Sequence, residues 1–254
     1  MIDSHCHIND KTFVGREDEY IENAQSVGVI KFLVVGCDLT MSKKAVEIAN
    51  HHDCCYAAVG IHPSDSKNAG SNDLDEVERL IPNKKVIAVG EIGLDYYWDK
   101  EEKIKEQQKD YFIKQIALAN KYNLPISIHC RDAYEDCLNI LKQNPVKCGG
   151  VMHCYSGSKE MMKEFIKLGF YIGIGGTVTF KNAIKIKDVA QEVPFNMYLL
   201  ETDAPYLAPT PHRGEENESK YLTLIRDQIA LLRSCSSKQI DEETTNNFKK
   251  LFNL

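Results

Sequence analysis

The chain opens with Met1-Ile-Asp-Ser-His-Cys-His-Ile8, a run that predicts a short β-strand from Ile2 to Ile8. Successive side chains of a strand point to opposite faces, so His5 and His7 share one face and Cys6 points to the other. Two imidazoles on one face at a strand end form half of a divalent-metal site, because neutral imidazole binds Zn, Fe, Ni or Cu. By itself the His-x-His pattern fits a pair of hydrogen-bonded structural histidines equally well.

The composition is that of an ordinary globular protein: 254 residues, 43% hydrophobic and 27% charged. The N-terminus lacks a basic segment followed by an apolar one, and no apolar run reaches the roughly 18 residues of a membrane span. We therefore expect neither a secretory signal nor contact with a membrane. The net charge of −6 argues against nonspecific coating of duplex DNA but leaves room for a small cation-lined phosphate pocket.

Nine cysteines without a C-x-x-C pair predict neither a disulfide framework nor a zinc ribbon. Most of them lie beside apolar residues, and we expect these to be buried, reduced and inert. The six in question are Cys37, Cys54, Cys55, Cys130, Cys137 and Cys154. A reducing compartment fits this usage best, which means the cytoplasm or, in a eukaryote, the nucleus.

Near-continuous apolar runs of strand length recur along the chain, as in buried parallel strands. The predicted strands are Met1–His5, Val29–Cys37, Cys55–Ile61, Lys85–Glu91, Pro125–His129, Gly149–His153, Phe170–Gly175 and Met197–Asp203. The predicted helices are Glu17–Gly28, Thr40–His52, Asp73–Leu80, Glu101–Tyr122, Tyr134–Gln143, Lys159–Leu168, Asn182–Gln191, Lys220–Cys235 and Lys238–Leu251. This alternation predicts an α/β fold, a (β/α)₈ TIM barrel, as a single domain over residues 1–254. A doubly wound sheet is the alternative, but it gives no reason for functional residues at every strand end.

Residues that can ligate a metal recur at or just after the carboxyl ends of the predicted strands. They are His5 and His7 at strand one, His62 after strand three, Glu91 at strand four, His129 at strand five, His153 at strand six and Asp203 at strand eight. Catalytic residues of (β/α)₈ enzymes project from these ends. The coincidence therefore predicts one convergent active site.

Two carboxylates carry most of this prediction. Glu91 follows four apolar strand residues, and no Arg or Lys adjoins it in the sequence. A buried carboxylate needs a cation or hydrogen bonds, so we expect a metal beside Glu91, with a hydrogen-bonded structural role as the alternative. Asp203 can ligate a metal and also accept a proton from water. Glu201 lies two residues earlier on the same face, and we expect it to support the site or to pair with a substrate-binding cation.

Four further side chains are predicted to contact substrate. Arg131 and Arg213 present a planar fork that matches phosphate oxygens, although surface salt bridges to Asp132 or Glu215 would also explain them. His62 is a candidate base or substrate hydrogen-bonder, or else a packed loop residue. Tyr155 begins Tyr155-Ser-Gly-Ser158, whose hydroxyls and backbone N–H groups form an anion site at a helix start, unless Ser158 is a plain cap.

Seven motifs, taken together, resemble the TatD family of metal-dependent deoxyribonucleases in the amidohydrolase superfamily. They are Asp3-Ser-His-Cys-His7, Gly60-Ile-His-Pro63, Gly90-Glu-Ile-Gly-Leu-Asp95, Ile128-His-Cys-Arg-Asp-Ala133, His153-Cys-Tyr-Ser-Gly-Ser158, Glu201-Thr-Asp-Ala-Pro-Tyr-Leu207 and Arg213-Gly-Glu-Glu-Asn217. The likeness runs from residue 2 to about residue 250. Ser219 stands where the family often has Pro.

The resemblance implies a barrel with one to three divalent ions, of which we expect two, as Zn, Mg or Mn. Carried over by motif, one ion would be held by His5, His7, Glu91 and Asp203. The second would be held by Glu91, His129 and His153, with Glu91 as the bridge. The resemblance also implies that His62, Arg131 and Arg213 contact phosphate or the nucleotide end.

The function expected from this site is phosphodiester hydrolysis. Two divalent ions make the inner site positive and would lower the pKa of a bridging water, which becomes a hydroxide when its proton passes to Asp203. We expect a monomeric 3′–5′ exonuclease acting on single-stranded DNA ends, because a barrel mouth does not readily admit an intact duplex. Two alternatives stay open: an amide or ester hydrolase on the same scaffold, and a non-catalytic barrel that binds nucleotides.

Overall fold

A single sheet of eight parallel strands, in sequence order, forms the centre of the computed structural model, which describes all 254 residues. The strands are β1 (Ile2–Cys6), β2 (Lys31–Val35), β3 (Cys55–Val59), β4 (Val86–Asp95), β5 (Ile126–Arg131), β6 (Gly150–Met152), β7 (Phe170–Ile174) and β8 (Tyr198–Leu200). Each strand pairs with the next one along the chain. The strand order never reverses, so the doubly wound alternative is excluded and the predicted (β/α)₈ barrel is confirmed.

Helices follow the strands and cover the outside of the sheet, with one additional helix at the end of the chain. They are α1 (Glu17–Ser26), α2 (Leu39–His51), α3 (Asp73–Leu80), α4 (Glu102–Tyr122), α5 (Tyr134–Gln143), α6 (Lys159–Lys167), α7 (Ile184–Glu192), α8 (Leu222–Arg233) and α9 (Ser237–Phe252). None of them combines the length and the apolar character that crossing a lipid bilayer requires.

The barrel closes at a seam between β8 and β1, where backbone groups beyond the strand ends meet. Asp203 N–H donates to the carbonyl of His5 (3.0 Å), and His7 N–H donates to the carbonyl of Ala204 (2.8 Å). These two bonds bring the chain after β8 directly against the end of β1. The seam therefore places Asp203 beside the two histidines of the first strand.

Asp3 strengthens the same seam from inside. Its fully buried carboxylate accepts hydrogen bonds from Thr202 N (3.0 Å), from Thr202 Oγ1 (2.6 Å) and from the Ser219 hydroxyl. Burial raises the pKa of Asp3 to about 7, against the opposing effect of these donors. Ser219 thus has a structural partner at the position where the related family often has proline.

The smaller of two apolar clusters fills the barrel interior and includes side chains near the amino ends of the strands, such as Ile2, Ile87 and Leu199. Phe248 and Phe252 of α9 belong to the same cluster. Helix α9 therefore closes the amino-terminal end of the barrel. The carboxyl-terminal end stays open for the functional site.

Most strand bounds differ from prediction by one or two residues, and the ends of β4 and β8 differ by more. β4 continues four residues beyond Glu91 because Asp95 still pairs with Arg131 of β5. β8 stops at Leu200, since the chain leaves the ladder and Asp203 adopts a left-handed φ of 59°. The longer β4 carries a second carboxylate to the rim of the barrel.

All nine cysteines are free thiols. The expectation of burial was wrong for three of the six named above: Cys37, Cys54 and Cys154 are partly exposed. Cys37 and Cys154 follow β2 and β6 and line the open end of the barrel, and Cys54 lies just before β3 at the other end. Apolar sequence neighbours do not distinguish the middle of a buried strand from its ends.

Candidate metal centre

Six of the predicted ligands come together at the carboxyl-terminal end of the barrel. They are contributed by five strands or the residues just after them: His5, His7, Glu91, His129, His153 and Asp203. All except the fully buried His5 line a cavity of about 1330 Å³. The structure therefore brings the predicted set into one site.

The strand pairing is irregular beside two of these residues, His5 and Glu91. The pairing register shifts in β1 between Asp3 and Cys6, and in β4 between Val89 and Ile92. Bulges of this kind re-aim side chains and are common beside active sites. Here they flank His5 in β1 and Glu91 in β4.

The orientation of His7 is fixed by the backbone. Its Nδ1 lies 2.9 Å from the carbonyl oxygen of Val35, an acceptor, so Nδ1 carries the proton. In the neutral ring the lone pair is then on Nε2, which lies 3.2 Å from His5 Nε2 and 3.3 Å from Asp203 Oδ1. Strand alternation predicted that His5 and His7 lie on one face of β1. In the structure, Asp203 lies against that face.

Glu91 lies at the centre of the cluster and is 3% exposed. Its Oε1 is 2.9 Å from His129 Nδ1, 3.2 Å from His153 Nε2 and 3.7 Å from His62 Nε2. Its Oε2 is 3.6 Å from His5 Nε2. Burial alone would raise the pKa of Glu91, but the surrounding histidines, His153 first, hold it well below its usual range. Glu91 is therefore a buried carboxylate ringed by imidazoles.

This donor set fits a divalent metal. Lone pairs of Glu91, Asp203 and His7 converge within a few ångströms, and no lysine or arginine forms an ion pair with either carboxylate. Buried charges of this kind are stable only when a cation or hydrogen bonds compensate them. Four overlapping groups of three residues have ligand atoms close enough to share an ion, and Glu91 belongs to three of the four. Nitrogen and carboxylate oxygen ligands suit Zn and Mn.

Asp95 supports the cluster from the end of β4. Its Oδ2 lies 2.9 Å from His129 Nε2, while Oδ1 accepts from the N–H groups of Tyr97 (2.9 Å) and Trp98 (3.1 Å). No role was predicted for Asp95, since the predicted strand ends at Glu91. Alternation from Glu91 along a longer strand would have placed Asp95 on the same face, four residues on.

Glu201 lies where it supports the site, the first of the two roles expected for it, and it does not line the cavity as a substrate contact would. It is fully buried, its Oε1 lies 3.3 Å from His153 Nδ1, and it accepts a short hydrogen bond from the backbone of Cys154. Gly173 of β7 leaves the space for it, because a Cβ there would overlap the Glu201 carboxylate. Glu201 contacts the ring nitrogen of His153 opposite the one that faces Glu91. It therefore orients the His153 ring and does not line the cavity.

Cys37 is a second residue that sequence reasoning missed at this site. Its Sγ donates to Glu91 Oε2 (3.5 Å) and lies 3.8 Å from His7 Nδ1. Burial and the neighbouring Glu91 raise the pKa of this thiol well above its usual range, so it stays protonated. Its position directly after β2 was the available signal, as for the histidines after the other strands.

His62 faces the cluster from the turn after β3. Its Nδ1 accepts from Ser64 N–H (3.1 Å), so the proton of the neutral ring is on Nε2. Burial, with His129 beside it, lowers the pKa of His62 to about 3. His62 therefore presents a neutral N–H donor to the cavity, next to Glu91.

Comparison with known proteins adds the family. The family model described as TatD related DNase matches residues 2–253. The chain belongs to the TatD family. An uncharacterized metal-dependent hydrolase of Bacillus subtilis, YabD, is 43% identical over 100% of this chain and 99% of its own length. The 3′-5′ ssDNA/RNA exonuclease TatD of Escherichia fergusonii is 32% identical over 100% of this chain and 99% of its own length.

A solved structure agrees with this assignment. The crystal structure of YjjV, a TatD homologue from Escherichia coli, superposes with a TM-score of 0.95 at 31% identity, covering 100% of this chain and 98% of that chain. The resemblance inferred from the seven motifs is thereby confirmed. The chain is a TatD-family hydrolase of the metal-dependent type, with His, Glu and Asp clusters able to bind metal.

Of the two arginines predicted to contact phosphate in this TatD-family barrel, Arg131 lines the cavity. It forms no salt bridge with Asp132, and its guanidinium carbon lies 3.8 Å from the centroid of the Tyr97 ring. The ion-pair alternative raised from the sequence is therefore excluded. An arginine without a carboxylate partner remains available to an anionic ligand.

Arg213 and Tyr155 lie away from the cavity lining. Arg213 is exposed, and its guanidinium carbon lies 4.6 Å from the Phe180 ring centroid, beside the loop after β7. The predicted substrate contact of Tyr155 is corrected: the side chain is 1% exposed and its hydroxyl donates to the carbonyl of Ser158 (2.7 Å). The side chain of Cys154 lines the open end of the barrel. The side chain of the next residue, Tyr155, therefore points the other way and packs in the core.

Proposed function

We propose that the chain is a metal-dependent phosphodiesterase that removes nucleotides from the 3′ ends of single-stranded DNA. The observation that carries the proposal is the buried Glu91, ringed by histidines and without a lysine or arginine partner, below a cavity whose wall contains the unpaired Arg131. The relative named as a 3′-5′ ssDNA/RNA exonuclease supports the same substrate class. We propose two divalent ions per chain, as Zn, Mg or Mn, and a monomeric protein.

The proposed ligands are those that the resemblance to the TatD family implies. One ion would be held by His5, His7 and Asp203, and the second by His129 and His153, with Glu91 shared between them. Both Glu91 oxygens support this division, since Oε1 faces His129 and His153 while Oε2 faces His5 and His7. When bound, such ions supply an acidic water and neutralise phosphate charge.

Asp203 is the proposed general base. Although burial opposes it, His153 and His7 hold the pKa of Asp203 below its usual range, so the carboxylate is ionised at neutral pH. Its side chain is 14% exposed and lines the cavity, unlike the fully buried Glu201. Asp203 can therefore accept the proton of an attacking water.

His62 and Arg131 are the proposed contacts to the scissile phosphate. His62 offers a neutral N–H group, which donates to a phosphate oxygen without gaining or losing a proton. Arg131 offers a planar pair of donors and a fixed positive charge. Both line the same cavity as Glu91, and a single strand threads such a cavity more readily than a duplex does.

A 5′-labelled single-stranded oligonucleotide tests the proposal. We expect a ladder of progressively shortened products with Mg²⁺, Mn²⁺ or Zn²⁺, no cleavage of circular single-stranded DNA, and complete loss of products with a chelator. Glu91→Gln should lower the rate at least about 100-fold, because it removes the shared ligand. His51→Gln, an exposed histidine on α2, is the matched control and should leave the rate unchanged.

Two results would contradict the proposal. Nucleolysis that survives the chelator would exclude the metal-dependent mechanism. Absence of nucleolysis with all three ions, together with metal-dependent hydrolysis of an amide or ester substrate, would assign the alternative activity on the same scaffold.

A further inference from the structure

The rim of the cavity beside β4 carries two exposed aromatic side chains. Tyr97 and Trp98 follow the last residue of the strand and are 43% and 66% exposed. Their rings meet edge to face, with centroids 4.7 Å apart. Trp98 lines the cavity, and it is the only tryptophan of the chain. A large apolar ring left this exposed beside a binding cavity is available to a ligand.

Arg131 completes this aromatic surface from the neighbouring strand. Its guanidinium carbon lies 3.8 Å from the Tyr97 ring centroid and 5.6 Å from that of Trp98. With no carboxylate partner, the cation is held by aromatic faces alone. A planar cation next to an exposed indole offers both a charge for phosphate and a flat face for a ring.

Asp95 ties this surface to the metal centre. One carboxylate oxygen accepts from the backbone of Tyr97 (2.9 Å) and Trp98 (3.1 Å), and the other lies 2.9 Å from His129 Nε2. A single side chain therefore fixes both the start of the aromatic segment and the ring of a candidate ligand. The position of the aromatic segment relative to His129 is thus set by the fold.

We propose that Trp98 and Arg131 form a nucleobase-stacking subsite, which holds the base of a nucleotide adjoining the scissile phosphate. The inference rests on the proposed function, since it specifies how a single-stranded nucleic acid is held. Base stacking on aromatic side chains tolerates any sequence, because every base has a flat π-face. The subsite therefore favours unpaired over paired bases and reads no particular sequence.

The fluorescence of Trp98 tests the subsite without requiring hydrolysis. Because the chain has one tryptophan, emission excited at wavelengths that tyrosine does not absorb reports on this position alone. Mg²⁺-loaded protein is titrated with a phosphorothioate-linked oligonucleotide that resists cleavage. We expect saturable quenching by the oligonucleotide, and no quenching by inorganic phosphate or by an abasic oligonucleotide of equal length, which keeps the phosphates and lacks the bases.

Variants measured by fluorescence anisotropy with a labelled oligonucleotide test the same contact. We expect Trp98→Ala to weaken binding about 5- to 100-fold, and Trp98→Phe to recover most of the loss, since stacking on one aromatic ring contributes in this range. Arg131→Lys keeps the positive charge but removes the planar guanidinium group. It should therefore weaken binding of the normal oligonucleotide more than binding of the abasic one. Ile184→Ala is the matched control: Ile184 lines the cavity and is 68% exposed, but it is not aromatic.

The outcomes separate this inference from the proposed function. Quenching without hydrolysis of normal DNA supports the subsite and counts against the nuclease. Hydrolysis with no quenching, equal quenching by the abasic oligonucleotide, or an effect of Trp98→Ala no larger than that of Ile184→Ala overturns the subsite while the nuclease stands. Circular dichroism of the variants checks that each one is folded.

Discussion

At the residue scale, each histidine of the cluster has its outer ring nitrogen beside a protein group. The pairs are His5 with the Ser127 hydroxyl, His7 with the Val35 carbonyl, His129 with Asp95 and His153 with Glu201. The opposite nitrogen of each ring then faces the centre. Partners of this kind fix the tautomer and orientation of a metal-binding imidazole and raise its basicity.

Asp95→Asn is expected to weaken metal binding about 10- to 100-fold, because His129 loses a charged partner at its outer nitrogen. Isothermal titration of metal-free protein with Zn²⁺ or Mn²⁺ measures the change. Asp99→Asn is the control: Asp99 lies in the same segment but pairs with Lys67 (2.6 Å) rather than with a histidine. Equal affinities for Asp95→Asn and the unmodified chain would show that this contact does not support the site.

Cys54 is the one thiol whose pKa is lowered, first by hydrogen bonding from the adjacent Cys55 and further by the Lys31 and Lys85 ammonium groups. The reactive species is the thiolate, so a lower pKa moves the rise of the alkylation rate to lower pH. We expect the rate of iodoacetamide labelling of Cys54 to reach half of its plateau value at least one pH unit below the midpoint of an ordinary thiol, whose pKa is about 8.5. Peptide mapping by mass spectrometry follows the reaction, and a rate still rising at pH 9 would contradict the expectation.

At the scale of elements, the sequence predicted the position of the site better than the limits of the strands. The two-residue period of β1 was sufficient to place His5 and His7 on one face, because every residue of a buried strand has only two directions available. The extension of β4 to Asp95 depends on pairing with β5, a neighbour distant in sequence. Local residues do not contain that information, so Asp95 was missed.

Roles that depend on long-range contacts were also beyond the sequence. Tyr155 was predicted to contact substrate yet packs in the core. The sequence left the role of Glu201 open between supporting the site and pairing with a cation, and only the fold shows its contact with His153. Cys37 was expected to be inert because its neighbours are apolar, and only the fold shows that it contacts Glu91. The residue types at the strand ends predicted which residues lie near the site. The direction in which each side chain points depends on contacts that exist only in the folded barrel.

Helix α9 is expected to stabilise the barrel by closing its amino-terminal end. Phe248 is 1% exposed and belongs to the interior cluster, so Phe248→Ala should cost about 3–5 kcal/mol of unfolding free energy. Phe248→Leu, which keeps most of the volume, should cost less than about 1.5 kcal/mol. Urea denaturation measures both, and a loss below 1 kcal/mol for the alanine variant would show that α9 does not close the barrel.

At the scale of the whole molecule, the negative net charge and the open end of the barrel fit together. The chain carries 37 acidic and 31 basic residues, so its surface as a whole does not attract nucleic acid. Recognition would then depend on bound cations and on Arg131 within the cavity. Under the proposed function, such a site would select the end of a single strand, which can enter the cavity. It would not bind along the phosphate backbone of a duplex.

The complete cluster is formed within one chain, and we therefore expect a monomer. Light scattering coupled to size exclusion should give about 28.8 kDa at micromolar concentration. A mass of twice that value, unchanged on dilution, would contradict this expectation and would place a second chain near the site or the outer helices.

The most direct measurement of the metal centre is an anomalous-difference map from a crystal of the protein grown with Mn²⁺ or Zn²⁺. We expect two peaks about 3.5–4 Å apart on either side of Glu91, the first within coordination distance of His5, His7 and Asp203 and the second of His129 and His153. The peak near His129 and His153 should weaken or vanish in Glu91→Gln crystals grown in the same way. A map without peaks at these side chains, or with peaks only elsewhere on the protein, would contradict the account.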